Sequence, residues 1–398
     1  MKARNTLFGS AVVVYFIIAF EVLIMISPFA GFFYAVFNPV LLQVASHPAT
    51  RWLSAFYLPH MVLPGDGLLV FIRILGSVLT ILGLVVFLVC ALQIYAAKLF
   101  RRGAVVGGLY AWIRHPQYLA LAVTGVGLSI LWPRILNAVL WLAMVLIYVF
   151  LAKDEERRML SAYPEAYRTY LERTGRFFPA SLERRLSPAT RPGRILGALG
   201  FVAVVLAAPF LLRAYTVRHL TLWTGAPDAA AVAILPEDGF MMEHRLADVL
   251  ALEPIRTRMQ PGRHYLVYFL PRAYIMQGMI ADTGGDWKLF ERHHTFGMIL
   301  DWVFNPFGHL RGGHHGMHAM HAGTAMPGGT GPGEAMTRRL IFLSIEGVPV
   351  TSPSDLFAIN AVRVPAFMAD VDVHDLKLLE IKDLAPGSGW GTVPTPVF

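Results

Sequence analysis

The residues best equipped for chemistry in this chain lie in Gly107-Gly108-Leu109-Tyr110-Ala111-Trp112-Ile113-Arg114-His115-Pro116-Gln117-Tyr118. This stretch sets a guanidinium, an imidazole and two phenols directly before an apolar run. A second charged cluster, Asp154-Glu155-Glu156-Arg157-Arg158, follows the next apolar run. Trp132-Pro133 turns the first run, Tyr118–Leu131, into the second, Ile135–Ala152. The two read as one helical hairpin whose open ends carry both clusters. Acids and an Arg-His pair at one end of a hairpin suit a cofactor site at a membrane face. The plainer alternative is an interfacial anchor. Tyr110, Trp112 and Tyr118 would then form an aromatic belt, Pro116 would open a helix, and the acids would pair with Arg157 and Arg158.

A second group of ligating residues lies between Phe307 and Met336, in a tract rich in glycine, histidine and methionine. His309, His314, His315, His318 and His321 are interspersed with Met317 and Met320. Imidazole and thioether ligands suit copper, with methionine favouring Cu(I). A structural zinc site would need a closed ligand set, which a glycine-rich loop does not supply. The alternative is a flexible loop with incidental metal affinity.

The elements that must position these residues follow from composition. The chain has 398 residues, of which 56% are hydrophobic and 15% charged. Soluble domains average about 25% charged residues. A span needs roughly 20 apolar residues, and five runs are candidates: Leu7–Phe37, Leu68–Leu99, Tyr118–Leu131, Ile135–Ala152 and Ile195–Leu212. The first is too long for a signal-peptide core and reads as a retained helix. Basic residues gather in Lys98–Arg114 and Lys153–Arg194, whereas Asn38–Gly67 carries only Arg51. The positive-inside bias puts both basic segments and the N-terminus in the cytoplasm. Five crossings then place everything from Tyr215 onward on the far side, the periplasm if the membrane is a bacterial inner membrane. The net charge of +8 is read as topology, and no nucleic-acid partner is expected.

The expected fold is therefore an all-α membrane bundle of about five transmembrane helices plus a C-terminal soluble, β-rich α+β domain. Residues 1–152 form the bundle. Residues 153–194 form a cytoplasmic segment opening with an amphipathic helix, on which Met159, Leu160, Tyr163, Tyr167, Tyr170 and Leu171 recur mostly at spacings of three and four. Residues 195–214 are the fifth span, and 215–398 are the exported domain with its loop at 307–336. Short apolar runs at Tyr265–Leu270, Trp287–Phe290, Leu340–Ile345, Ala361–Val364 and Leu376–Ile381, separated by turn signals, are the expected strands. Glu21 lies inside the first run, where an ionisable group is costly and pairs or functions. Gly83, Gly125 and Gly127 read as close-packing positions. Cys90, the only cysteine, reads as a small buried apolar residue.

Gly108, Tyr110, Arg114, His115, Pro116 and Tyr118, followed by Glu155-Glu156 and then Tyr167 and Tyr170, occur in an order with a precedent. The pattern resembles the isoprenylcysteine carboxyl methyltransferase and phospholipid methyltransferase superfamily, over roughly residues 68 to 179. The resemblance implies S-adenosylmethionine as methyl donor, bound at the cytoplasmic face. It assigns backbone contacts to Arg102, Gly103, Ala104 and Val105. It assigns the pocket to Tyr110, Arg114, His115, Pro116, Gln117, Tyr118, Glu155 and Glu156, with Glu155 facing the donor's ammonium group. Prenylcysteine methyltransferases carry an arginine shortly before the acidic pair. Phe150-Leu151-Ala152 stand there in this chain, and Lys153 is the nearest cation. The methyl acceptor is thus open between a membrane lipid, a small thiol and an isoprenoid-like acid.

Two further readings remain. The bundle can serve as a non-catalytic anchor or accessory subunit of a membrane protein complex, with an exported domain that binds copper or a protein partner. A membrane reductase with a related helical core is the third. It is disfavoured by Glu155-Glu156 and by the lack of a nicotinamide-binding pattern.

Overall fold

The computed structural model describes residues 19–33, 35, 39–60, 62–100, 105–186, 188, 190–272 and 336–384. These form two compact units. One comprises Val70–Arg213 with the described residues up to Leu41, and the other Leu42–Leu69 with the described residues from Ala214 onward.

The first unit is helical. The described helices of the chain are α1 (Ala19–Phe33), α2 (Pro39–Ser46, largely in the second unit), α3 (Gly67–Leu99), α4 (Pro116–Leu131), α5 (Ile135–Ala162), α6 (Pro164–Arg173), α7 (Ala180–Leu186) and α8 (Arg191–Arg218), before a last group in the second unit. Among the described residues α3, α5 and α8 are long and apolar enough to cross a membrane, and α1 and α4 are shorter apolar helices. Leu92 on α3 and Leu196 on α8 are exposed, as hydrocarbon-facing side chains should be, while each helix satisfies its own backbone.

The α4–α5 hairpin turns at Trp132-Pro133, where the indole of Trp141 donates to the Ala122 carbonyl at 2.8 Å. Gly83 on α3 faces Thr124 of α4, and Gly127 of α4 faces Thr80 of α3; a Cβ at either glycine would come within about 2.5 Å of its neighbour. The two backbones approach this closely because no side chain intervenes. Tyr118, Leu121, Met144, Tyr148 and Ala152 form the hairpin's core, with Met25 and Phe32 from α1 packed on it. Glu21 of α1 forms an ion pair with Lys98 at the end of α3. Cys90 is fully buried.

The segment 153–194 differs from its sequence reading. Positions Met159 to Leu171 do not share one helix. α5 runs on through Ala162, so the boundary expected at residue 152 falls inside it. Pro164 then lacks the N–H that a continuing helix needs and instead opens α6.

The second unit is built on one six-stranded sheet, β1 (Leu222–Trp223), β2 (Ala229–Ala233), β3 (Tyr265–Pro271), β4 (Thr337–Glu346), β5 (Val362–Asp372) and β6 (Lys377–Asp383), in the order β1-β2-β3-β4-β5-β6. β2 and β3 are parallel and the other pairs antiparallel. A parallel pair needs a crossover, which α9 (Gly239–Leu250) supplies, with a one-turn helix after it. Met242, Leu246 and Val249 of α9 pack on one sheet face with Phe269, Phe342 and Phe367. The other face buries Val232, Tyr268 and Ile341 against Leu356 and Phe357. Four of the five expected strands are present, and Trp287–Phe290 lies outside the described residues. β2, with sequence Ala-Ala-Ala-Val-Ala, was not foreseen. It is buried on both faces and shows no alternation.

Residues 42–69 also belong to this unit, although the sequence groups them with the bundle. Val62 enters the core beside Ile234. Leu63 N–H donates to the Ile234 carbonyl at 2.8 Å, and the Thr216 hydroxyl donates to the Tyr57 carbonyl at 3.2 Å. At the far end of the sheet Asp370, fully buried, accepts two bonds from Arg339 at 2.7 and 2.6 Å and pairs with Arg272 at 2.9 Å. The His/Met tract, with His309, His314, His315, His318, His321, Met317 and Met320, lies outside the described residues. Among the described residues no group of three or more His, Cys, Asp or Glu could hold a metal ion.

Candidate functional site

The site starts from a buried carboxylate. Glu156 projects from the α5 extension with its side chain about nine-tenths buried. It accepts Arg114 Nε at 2.7 Å from before α4, and Arg176 Nε and Nη2 at 3.1 and 2.6 Å from beyond α6. Arg114 Nη1 also donates to the carbonyls of Leu171, at 3.3 Å, and Thr174. Charge-assisted bonds of this kind are shorter and stronger than neutral ones.

The ion pairs secure a short backbone ladder. Ile113 bridges Gly175 in parallel. Arg114 N–H donates to the Gly175 carbonyl at 2.8 Å and His115 N–H to the Arg176 carbonyl at 3.1 Å. Gly175 is required there, since a Cβ would fall 1.9 Å from the Phe178 carbonyl oxygen. Gly108 has φ +64° with the Gln93 side chain where its Cβ would be, a left-handed conformation that favours glycine. Tyr110 donates from its hydroxyl to Gln117 Oε1 at 3.1 Å, and its carbonyl accepts the Tyr170 hydroxyl at 2.6 Å. Burial pushes the Tyr170 phenol up to about 12, so it remains a donor. Tyr110, Arg114, Gln117 and Glu156 are thus satisfied within the protein.

Glu155 has a different environment. One residue further back on α5 and turned about 100°, it is 40% exposed and faces His115 Nδ1 at 3.5 Å. Its carboxylate also interacts with Tyr118 and lies within electrostatic reach of Tyr95 and Lys98. His115 stacks on Tyr118 at 5.6 Å, and Tyr118 on Tyr148 at 5.0 Å. Phe177 covers the imidazole at 6.1 Å. Both ring nitrogens of His115 are buried, and neither makes a short hydrogen bond. Their nearest acceptors are Glu155 and, from Nε2, Glu156, each at 3.5 Å.

Of the residues expected from the sequence, the fold brings together Glu155, His115 and Tyr118 as one partly open set. Pro116 is the first residue of α4. Arg102, Gly103 and Ala104 lie outside the described residues; Val105 is described and half-buried. The sequence reading missed Arg176 and Phe177. Their one advance signal was position, directly after the Tyr167–Tyr170 helix.

Residues 50–174 match a family model described as a protein of unknown function, DUF1295. A DUF1295 domain is therefore present, spanning α3 to α6 and ending just before Gly175. No curated protein and no solved structure matches the chain.

Two outcomes follow. Glu156→Gln leaves Arg114 buried without its counter-charge and should destabilise the hairpin by about 3–5 kcal/mol. Amide hydrogen exchange would show lost protection at Arg114 and His115, and unchanged protection would remove the ion pairs as the cause of the ladder. The second concerns pH. Burial lowers the His115 pKa, but Glu155 and Glu156 outweigh it and hold the imidazole above its ordinary value of 6.5. A raised folded pKa adds stability that is full below the unfolded value and lost as pH rises through the folded one. The thermal midpoint should therefore be highest below the ordinary imidazole value and fall as pH rises through the raised His115 value, and His115→Gln should remove that dependence.

Proposed function

We propose that the DUF1295 region is an integral-membrane S-adenosylmethionine-dependent methyltransferase, acting on a lipid-like, thiol or carboxylate acceptor at the membrane face. One observation carries this reading: the two adjacent acids have different environments. Glu156 is enclosed by two guanidiniums, while Glu155 stays partly exposed against an aromatic wall and a buried imidazole. A half-open carboxylate beside tyrosines is chemically suited to a ligand that carries an ammonium and a sulfonium.

S-adenosylmethionine supplies, when bound, a methyl group already activated by the sulfonium, so a carboxylate or thiolate acceptor needs no strong base. The protein's part is to bind, orient and exclude water. Glu155 would pair with the ammonium group. The face of Tyr95 would favour the cation. His115, between two carboxylates, would hold Glu155 in place. Glu156 and its arginines would position this set and touch no ligand. Gln117 and Tyr110 would do the same from behind, which narrows the pocket inferred from resemblance.

The second unit supports a topology. Residues 42–69 and the segment from Ala214 share a core, so an even number of crossings must separate them. α3, α5 and α8 alone would make three. α4 supplies the fourth; it spans only about 24 Å, but it is largely buried among its neighbours and need not match the bilayer. With α1 the bundle has five spans. On this reading the basic ends favour a cytoplasmic Arg114, Glu155 and N-terminus, with the sheet domain in the periplasm of a bacterial inner membrane.

Glu155→Gln should weaken S-adenosylmethionine binding to the full-length protein about tenfold or more by calorimetry, with helix content by circular dichroism unchanged. Equal affinity would refute the site. For topology, Cys90→Ser protein carrying Ala49→Cys, Lys377→Cys or Arg185→Cys should label with an impermeant maleimide in intact cells at 49 and 377 and not at 185. Labelling at only one of 49 and 377 would overturn the even count.

A further inference from the structure

A groove on the other side of Glu156 is lined by Lys153, Glu156, Arg157, Leu160, Ser161 and Arg176. Its helical residues follow the three- and four-residue spacing of one α5 face, and Arg176 comes from the strand-like segment after α6. Glu156 is the only acid in the lining, and Arg114 and Arg176 already neutralise it. Arg157 and Arg158 share Asp154. Lys153 has no carboxylate partner among the described residues. Its ammonium lies 5.9 Å from the centre of the Phe150 ring. The groove therefore carries an excess of positive charge on long, exposed side chains.

The approach to the groove is apolar. Leu146, Ile147 and Phe150 are exposed on the same side of α5 and lead up to Lys153. This stripe ends where the apolar part of the helix ends, at Ala152. Lysine and arginine at such a boundary extend their stems along the hydrocarbon and their charges into the headgroup layer. Apolar stripe followed by basic groove has the profile of one lipid: acyl chain against Leu146, Ile147 and Phe150, headgroup against Lys153 and Arg157.

We propose that this groove is a binding site for an anionic phospholipid, whose phosphate is held by Lys153 and Arg157. Ammonium and guanidinium both suit phosphate oxygens, and each basic residue at a membrane surface adds attraction to anionic lipid. The site adjoins the Glu155 pocket through Glu156 but does not depend on the methyl-transfer reading.

The test uses the full-length protein in nanodiscs of phosphatidylcholine with a minority of phosphatidylglycerol. After transfer to detergent, retained lipid is measured by native mass spectrometry. The wild-type chain should retain phosphatidylglycerol over phosphatidylcholine. Lys153→Gln with Arg157→Gln should reduce that retention about tenfold or more. Arg168→Gln with Arg185→Gln removes the same charge from exposed positions elsewhere and should leave retention unchanged. Lys153→Arg with Arg157→Lys keeps the charge and should restore it, which separates charge loss from misfolding. Undiminished retention when Lys153 and Arg157 are both neutralised, equal loss in the control, or full displacement by inorganic phosphate would overturn the proposal.

Discussion

A single carboxylate, Glu156, holds the helical unit together at its polar end. It is bound by Arg114 from before α4 and by Arg176 from after α6, so three segments distant in sequence converge on one buried charge. Such a group is expensive to bury and is stable only when its partners arrive from several directions with good geometry. The Ile113–Gly175 bridge and the adjoining backbone bonds follow from that convergence. So does the direction of His115 and Tyr118, which sit on the chain that Arg114 anchors.

The end of α5 serves three environments because successive residues turn by about 100°. Glu156 faces the arginines. Glu155 faces the His115–Tyr118 stack. Lys153 and Arg157 face outward above an exposed apolar stripe. No loop is needed to separate a structural ion pair, a half-open acid and a basic groove; the helix does it in little more than one turn. This depends on α5 continuing past its apolar part to Ala162 and on Pro164 stopping it there.

Val62 and Leu63, between α1 and α3, complete a sheet domain otherwise built from residues after Ala214. One hydrophobic core cannot straddle a bilayer, so both segments share a side, and the number of crossings between them is bounded by that fact. Hydropathy sees each helix separately and could not supply this parity argument.

Much of the fold was legible in the amino-acid order. The apolar runs marked the helices, Pro116 and Trp132-Pro133 marked where α4 begins and the hairpin turns, and four short apolar runs marked β3 to β6. These are local signals, written in neighbouring residues. β2 escaped because a strand buried on both faces has no alternation, and the break before α6 was hidden under a continuing apolar period. The Arg114–Tyr118 stretch with Glu155-Glu156 could be named as one constellation from residue types alone. Which member of the acidic pair is internal and which faces the aromatic stack was a matter for the tertiary structure. It was decided by Arg176, a residue with no local distinction, because burial and partnership of a charge are set by what the folded chain brings against it.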